Sequence, residues 1–123
     1  MRVQDPDKMS KAFVDAFNLG DVNELVSLYE PGANYVDGER TVAGSAAIRE
    51  VLTQLTAVRP KMEMTNEYCV VCADTALVRA RWKMHWRDST KQLLVKTGHS
   101  SEVLRRGSDG VWRYIIDHPT GGD

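Results

Sequence analysis

Residues 76–88, ALVRARWKMHWRD, decide the fold. Every second side chain is apolar, which is the period of a β-strand with one buried face. The apolar face carries Ala76, Val78, Ala80, Trp82, Met84 and Trp86. The opposite face carries Leu77, Arg79, Arg81, Lys83, His85 and Arg87. Since two tryptophans bury a large apolar area, the first face is expected to pack against helices and the second to point away from them.

The same two-residue period continues through the second half of the chain. After Pro60, short polar breaks of the kind found in antiparallel hairpins separate the apolar runs. The predicted strands are residues 62–73, 76–88, 93–106 and 111–118.

The first half of the chain instead has the period of amphipathic helices. Asp5, Asp21 and Ser45 can each cap one of three helices, and Tyr29 is expected to end the second. Short strands are predicted at residues 33–37 and 41–43. The order of elements indicates an α+β fold, with three N-terminal helices packed on a strongly curved antiparallel sheet. Residues 1–123 are predicted to form a single domain.

Composition excludes several classes of function. The 123 residues are 42% hydrophobic and 27% charged, with a net charge of −1. This balance gives no drive toward nucleic acid or an anionic membrane, and neither is predicted as a partner. No apolar run is long enough to span a bilayer, and the start, MRVQDPDKMSK, lacks the apolar segment of a signal peptide. A cytoplasmic location is expected.

The basic side chains on the outer face of residues 76–88 can be explained without a nucleic-acid partner. Glu63 and Glu67 on the preceding strand can lie across from Arg81 and His85, or one step along, as cross-strand charge pairs. These pairs would compensate the row of basic side chains on this face, which we call the basic stripe. By alternation the same outer face carries Trp112, Tyr114 and Ile116. An exposed apolar patch of this size predicts a symmetric homodimer in which two sheets pair back to back.

A family resemblance enters at residues 29–52, YEPGANYVDGERTVAGSAAIREVL. Together with LGD at 19–21 and EVLRRGSDGVWRYIIDHP at 102–119, this stretch resembles the nuclear transport factor 2-like superfamily, nearest to its ketosteroid isomerase-like and SnoaL-like branches. The resemblance implies a cystatin-like cone of three helices and a curved sheet that encloses a pocket, usually in a dimer. It implies less about function, because this fold carries enzymes, binding modules and assembly domains.

The resemblance also implies catalytic positions. Asp37 falls where the isomerases keep their proton-shuttling base, Glu102 where they keep a carboxylic acid that donates to an oxyanion, and Asp117 where some relatives place a pocket acid. The oxyanion tyrosine of the isomerases maps to Phe13, which cannot donate a hydrogen bond. Half of that oxyanion hole is therefore absent, and steroid isomerisation itself is not expected.

The three carboxylates also have a direct chemical interpretation. If they converge in an apolar cone, burial and mutual repulsion would leave at least one protonated near neutral pH, which suits acid–base catalysis. Structural alternatives stay open for each. Asp37 can form a turn before Gly38, and Asp117 can simply end a strand. Glu102 can be an exposed strand residue, or a partner of Lys96 or of an arginine.

The pocket wall is predicted to contain mostly aromatic side chains, although plain core packing accounts for at least half of them. The predicted lining residues are Phe13, Phe17, Tyr35, Trp82, Trp86 and Lys96. The histidines His85, His99 and His118 lack the close spacing of a metal site, so neither a metal nor another cofactor is predicted.

The sequence supports two main hypotheses about function. The first is an acid–base isomerase, cyclase or dehydratase acting on a small, apolar, cyclic molecule. The second is a ligand-binding or dimerising module without catalysis. Activation of water by one of the acids, near Asn34 or Tyr35, is a third and weaker hypothesis.

Overall fold

The computed structural model describes residues 2–123 and has the predicted α+β architecture. A 3-10 turn precedes three helices, and seven strands form one sheet. The helices are α1 (Met9–Leu19), α2 (Val22–Ser27) and α3 (Ser45–Thr56), with the 3-10 turn at Pro6–Lys8. The strands are β1 (Tyr29–Asp37), β2 (Arg40–Ala43), β3 (Lys61–Cys72), β4 (Thr75–Arg87), β5 (Leu93–His99), β6 (Ser101–Arg106) and β7 (Trp112–His118).

Helix boundaries follow local chemistry with two differences from prediction. Asp5 and Asp21 accept hydrogen bonds from the backbone at helix starts, at 3.0 Å in both cases. Ser45, however, is the first residue of α3, and its side chain does not cap that helix. Tyr29 begins β1 instead of ending α2, so its side chain is carried by the sheet.

The sheet is mixed and mostly antiparallel, and six of its strands follow the order β2-β1-β7-β6-β4-β3. The remaining strand, β5, pairs with β4. The predicted antiparallel arrangement holds except at β1, which runs parallel to β7. The predicted strand 93–106 is divided at Ser100 into β5 and β6. These two strands pair with successive parts of β4.

The face of β4 that the sequence assigns to the core is the buried face. Trp82 and Met84 pack there in one hydrophobic core with Phe17 of α1 and Leu52 of α3. On the other face, Glu63 lies directly across from Lys83, which is the local charge compensation expected for the basic stripe. Among residues 2–123, no helix is long and apolar enough to cross a membrane.

A β-bulge in β7 overturns one prediction. Val103 of β6 pairs with Ile116 and Leu104 pairs with Tyr114, so Ile115 is an extra residue between them. Because the bulge shifts the alternation by one residue, both Tyr114 and Asp117 face inward. Trp112 and Tyr114 are therefore buried, contrary to the outer-face prediction, and only Ile116 of the predicted trio is exposed.

Candidate active site

A cavity of about 120 Å³ lies between the helices and the concave face of the sheet. Its inner part is lined by buried aromatic and acidic side chains, and its rim by exposed residues of β1, β5 and the segment after β7. The lining residues are Phe13, Phe17, Tyr35, Val36, Asp37, Gly38, Leu55, Met62, Trp82, Met84, Lys96, Glu102, Tyr114, Asp117, Pro119 and Thr120. We call the buried end, formed by Glu102 and Asp117, the floor.

Glu102 and Asp117 lie directly opposite each other in the register of β6 and β7. Directly opposed residues of an antiparallel pair project to the same side of the sheet. Both side chains are buried, with 3% and 5% of their surfaces exposed. Ser100 Oγ donates to Glu102 Oε2 at 2.9 Å, and Tyr29 Oη donates to Asp117 Oδ2 at 2.5 Å.

Burial has the largest effect on the pKa values of these two carboxyl groups. It raises the pKa of Glu102 to about 8, with repulsion from Asp117 adding to the rise and the Ser100 hydrogen bond opposing it. Burial also raises the pKa of Asp117 to about 6, against the opposing effect of the hydrogen bond from Tyr29. At neutral pH the pair therefore shares one proton, which resides mainly on Glu102 while Asp117 carries the charge.

Three buried tyrosines surround the charged member of the pair. The ring centroids of Tyr29 and Tyr114 are 4.8 Å apart, and those of Tyr29 and Tyr35 are 6.5 Å apart. Burial raises the pKa of each phenol well above its ordinary value, and the nearby carboxylates add to the rise. All three phenols therefore stay protonated and can act only as neutral hydrogen-bonding groups.

The rim carries the third predicted acid, away from the floor. The side chain of Asp37 is 49% exposed and forms an ion pair with Arg40 at 3.1 Å across the β1–β2 turn. The expectation that three carboxylates meet in an apolar chamber therefore holds for only two of them. Asp37 ends its strand beside Gly38, whose φ of +62° is the left-handed conformation that favours glycine in a turn.

The architecture agrees with a known family. The family model of the SnoaL-like domain matches residues 10–118. This chain belongs to the SnoaL-like family. The resemblance to the nuclear transport factor 2-like superfamily is thereby confirmed, whereas a comparison with curated proteins finds no match.

Solved structures similar to this SnoaL-like chain show the same fold. A ketosteroid isomerase-like protein from Erwinia carotovora atroseptica aligns with a TM-score of 0.79 at 19% identity, over 89% of this chain and 88% of its own. A candidate dehydratase of the nuclear transport factor 2-like family from Streptomyces avermitilis gives 0.77 at 21% identity, over 89% of both chains. A protein of unknown function from Mycobacterium tuberculosis gives 0.79 at 17% identity over 89% of this chain, which spans 65% of that protein.

Two aromatic predictions for the cavity wall have different outcomes. Trp82 lines the cavity, and its Nε1 donates to the carbonyl oxygen of Pro119 at 2.7 Å, which fixes the indole against the segment after β7. Trp86 is half-buried and packs against the core instead of lining the cavity.

Sequence reasoning missed two residues of the site in this SnoaL-like domain. Tyr114 was assigned to the outer face, because no local signal marks the bulge at Ile115 that turns it inward. Tyr29 is predicted to end the second helix, whereas it begins β1. Within residues 2–123, no group of three or more His, Cys, Asp or Glu side chains is arranged to hold a metal ion.

Gly98 is expected to be required for the shape of this cavity. A Cβ atom added at Gly98 would lie 2.5 Å from Cζ2 of Trp82, and the hydrogen bond to Pro119 restrains the indole from moving away. We expect Gly98→Ala to lower the free energy of unfolding by about 1–3 kcal/mol in urea denaturation, as overpacking does elsewhere. Gly32→Ala is the matched control, because an added Cβ there meets nothing within 4 Å. Equal stability of the two variants would contradict the prediction.

Proposed function

We propose that this protein is an acid–base enzyme that isomerises, cyclises or dehydrates a small, apolar, cyclic substrate. The observation that carries the proposal is the Glu102–Asp117 pair, buried at the floor of an apolar cavity and sharing one proton near neutral pH. Two carboxyl groups whose environments separate their pKa values can supply a base and an acid in one site.

The roles follow from the hydrogen bonds. Tyr29 donates to Asp117 and so favours its charged form, which makes Asp117 the base that removes a proton from a carbon next to a carbonyl. Glu102, protonated, donates a hydrogen bond to the carbonyl oxygen as negative charge develops on it. Asp37, the base implied by family resemblance, would act only from the rim, so the geometry favours Asp117.

The missing phenol at Phe13 has a candidate replacement. The ring of Tyr114 meets that of Phe13 edge to face, with centroids 6.3 Å apart, and Tyr114 lines the cavity. The phenol of Tyr114, carried by β7, would therefore take the place of the phenol that a tyrosine at position 13 of α1 would supply. A protonated Tyr114 next to Glu102 would give the oxyanion two donors.

The test is proton transfer on a minimal substrate. The protein is incubated with cyclohex-3-enone in D₂O, and NMR follows both isomerisation and deuterium uptake at the carbons beside the carbonyl. A saturable rate is expected that is highest between about pH 6 and pH 8, where Asp117 is charged and Glu102 is protonated. A rate no higher than that with a Glu102→Gln/Asp117→Asn double variant would contradict the proposal.

Ligand binding without turnover is the second candidate function. It is favoured by the internal hydrogen bonds of the floor, since Ser100 and Tyr29 already stabilise the two carboxyl groups without a substrate. Binding of cyclic ketones by the wild-type protein, together with the absence of proton transfer at every pH, would select this candidate.

We also propose that the outer face of the sheet forms a homodimer interface. Val70, Leu77, Val103 and Ile116 are opposite one another in successive strand pairs, so they form one apolar row across four strands. Val70, Leu77 and Ile116 are exposed. A second copy of the chain is the simplest partner, because it would present the same row to this one.

The dimer prediction is tested with a charge placed in this row. Leu77→Arg is expected to weaken dimerisation more than tenfold, because it would bury an unpaired charge at the centre of the interface. Light scattering over a range of concentrations measures the change. Val58→Arg, an exposed position after α3, serves as the matched control and is expected to leave the dimer intact. A wild-type protein that stays monomeric at millimolar concentration would contradict the proposal.

A further inference from the structure

Lys96 lies at the exposed rim of the cavity, on the concave face of the sheet. It lies directly across from Met84, so it is on the concave, cavity-lining face of the sheet. Its neighbours Leu93 and Val95 are apolar and exposed. Solvation alone would place the charge outward and the apolar side chains inward. The strand instead keeps its cation at the cavity rim, within reach of a bound ligand.

The charges of the cavity leave this cation without a protein partner. Among the described lining residues Lys96 is the one cation, and within residues 2–123 it makes neither an ion pair nor a hydrogen bond. Asp37, the other charged rim residue, is already paired with Arg40. The remaining acids, Glu102 and Asp117, lie at the buried floor, where Tyr29 and Ser100 stabilise them. Solvent is therefore the partner of the exposed ammonium in the free protein, and an anionic ligand group at the rim would replace that solvent.

The size of the cavity limits the rest of the ligand. An apolar cavity of roughly 150 Å³ is known to accommodate a benzene ring. The cavity here is about 120 Å³ and opens at the rim beside Lys96. The interior is therefore large enough for one ring at most, and a substituent on that ring would extend to the rim. A fused multi-ring skeleton would have to lie largely outside.

We propose that Lys96 is a specificity-determining residue that selects single-ring substrates carrying an anionic substituent, in the simplest case a carboxylate. The ammonium would hold the anionic group at the rim while the ring occupies the apolar interior. The opposite end of the ring would then face the floor. This inference rests on the proposed function only for the statement that the reacting end is the one at Glu102 and Asp117.

The test compares two probes of the same size that differ in charge, 4-hydroxybenzoate and 4-hydroxybenzamide. Calorimetric titration at pH 7 is expected to show about fivefold tighter binding of the benzoate to the wild-type protein, as a partly solvated ion pair would give. Lys96→Met is expected to abolish the preference and Lys96→Arg to retain it. High salt is expected to reduce the preference, because the rim is exposed to solvent.

Lys83→Met is the matched control, because Lys83 lies on the outer face of β4 opposite Glu63 and is expected to leave the preference unchanged. Equal binding of the two probes, binding of neither at millimolar concentration, or a preference that survives Lys96→Met would overturn the inference. The readout is binding and needs no turnover. A preference without proton transfer would therefore support the role of Lys96 and reject the catalytic proposal, and proton transfer without a preference would do the reverse.

Discussion

Replacing Asp117 with asparagine is expected to reduce the rate of proton transfer to a cyclic ketone by a factor of about 10² to 10⁴, the usual contribution of a positioned general base. The side chain keeps its shape, and its amide oxygen can still accept the hydrogen bond from Tyr29 that now measures 2.5 Å. The loss is therefore chemical and not structural, because an amide cannot take up the proton. Exchange of deuterium in D₂O, followed by NMR at saturating ketone, measures it.

Two further variants locate the base. Glu63→Gln removes an exposed carboxylate on the outer face and is expected to leave the rate unchanged. Asp37→Asn tests the base that family resemblance implies, and only a small change is expected because that carboxylate is half-exposed and paired with Arg40. A large loss in Asp37→Asn with a normal rate in Asp117→Asn would move the base to the rim.

The core face of the fold could be predicted because one strand carries an unusually strong pattern. In β4 the apolar positions alternate without interruption from Ala76 to Met84, and all of them are buried. Helices and strands were also separated correctly on either side of Pro60. The pairing of the strands was harder to predict from the sequence. The parallel contact between β1 and β7 joins residues far apart in the chain, and only tertiary packing brings them together.

Part of the candidate site could also be predicted from the sequence. Family resemblance placed Glu102 and Asp117 at the cavity, and both line it. Periodicity alone does not choose the face of Glu102, because the two faces of its strand are about equally polar. Tyr114 lies beyond the bulge at Ile115, where alternation gives the wrong face. Asp37 was open to two interpretations from the start, because an aspartate before glycine suits both a turn and a pocket rim. The structure shows both features at that position.

The tyrosine cluster explains how this site differs from the pattern of the isomerases. With phenylalanine at position 13, α1 offers a ring but no donor. The phenols come from the sheet instead, with Tyr29 on Asp117 and Tyr114 against Phe13. Two neutral donors near one charged carboxylate would stabilise negative charge at the floor. Under the proposed function, these donors would take the place of the phenol that the isomerases have at that position.

Stability should decrease as the pH rises from 5 to 8, because the buried carboxyls hold protons that the unfolded chain releases. The pKa of Glu102 is raised from 4.5 to about 8 in the folded state, and that of Asp117 from 3.8 to about 6. Between pH 5 and pH 8 the folded protein binds more protons than the unfolded chain, so the free energy of unfolding falls as the pH rises. For Glu102 alone, the loss between pH 5 and pH 8 is roughly 3 kcal/mol, at 1.36 kcal/mol per pKa unit.

Urea denaturation at both pH values measures this slope, and Glu102→Gln should remove most of it because glutamine does not titrate. Groups with a lowered pKa, such as Asp109 beside Arg113, act in the opposite direction but at a lower pH, since they lose stability only as acid is added. Glu63→Gln keeps the buried pair and should keep the full slope. If the wild-type protein were equally stable at pH 5 and pH 8, the floor would hold no shared proton. Asp117 and Glu102 would then both be charged, and the base could not be accompanied by an acid.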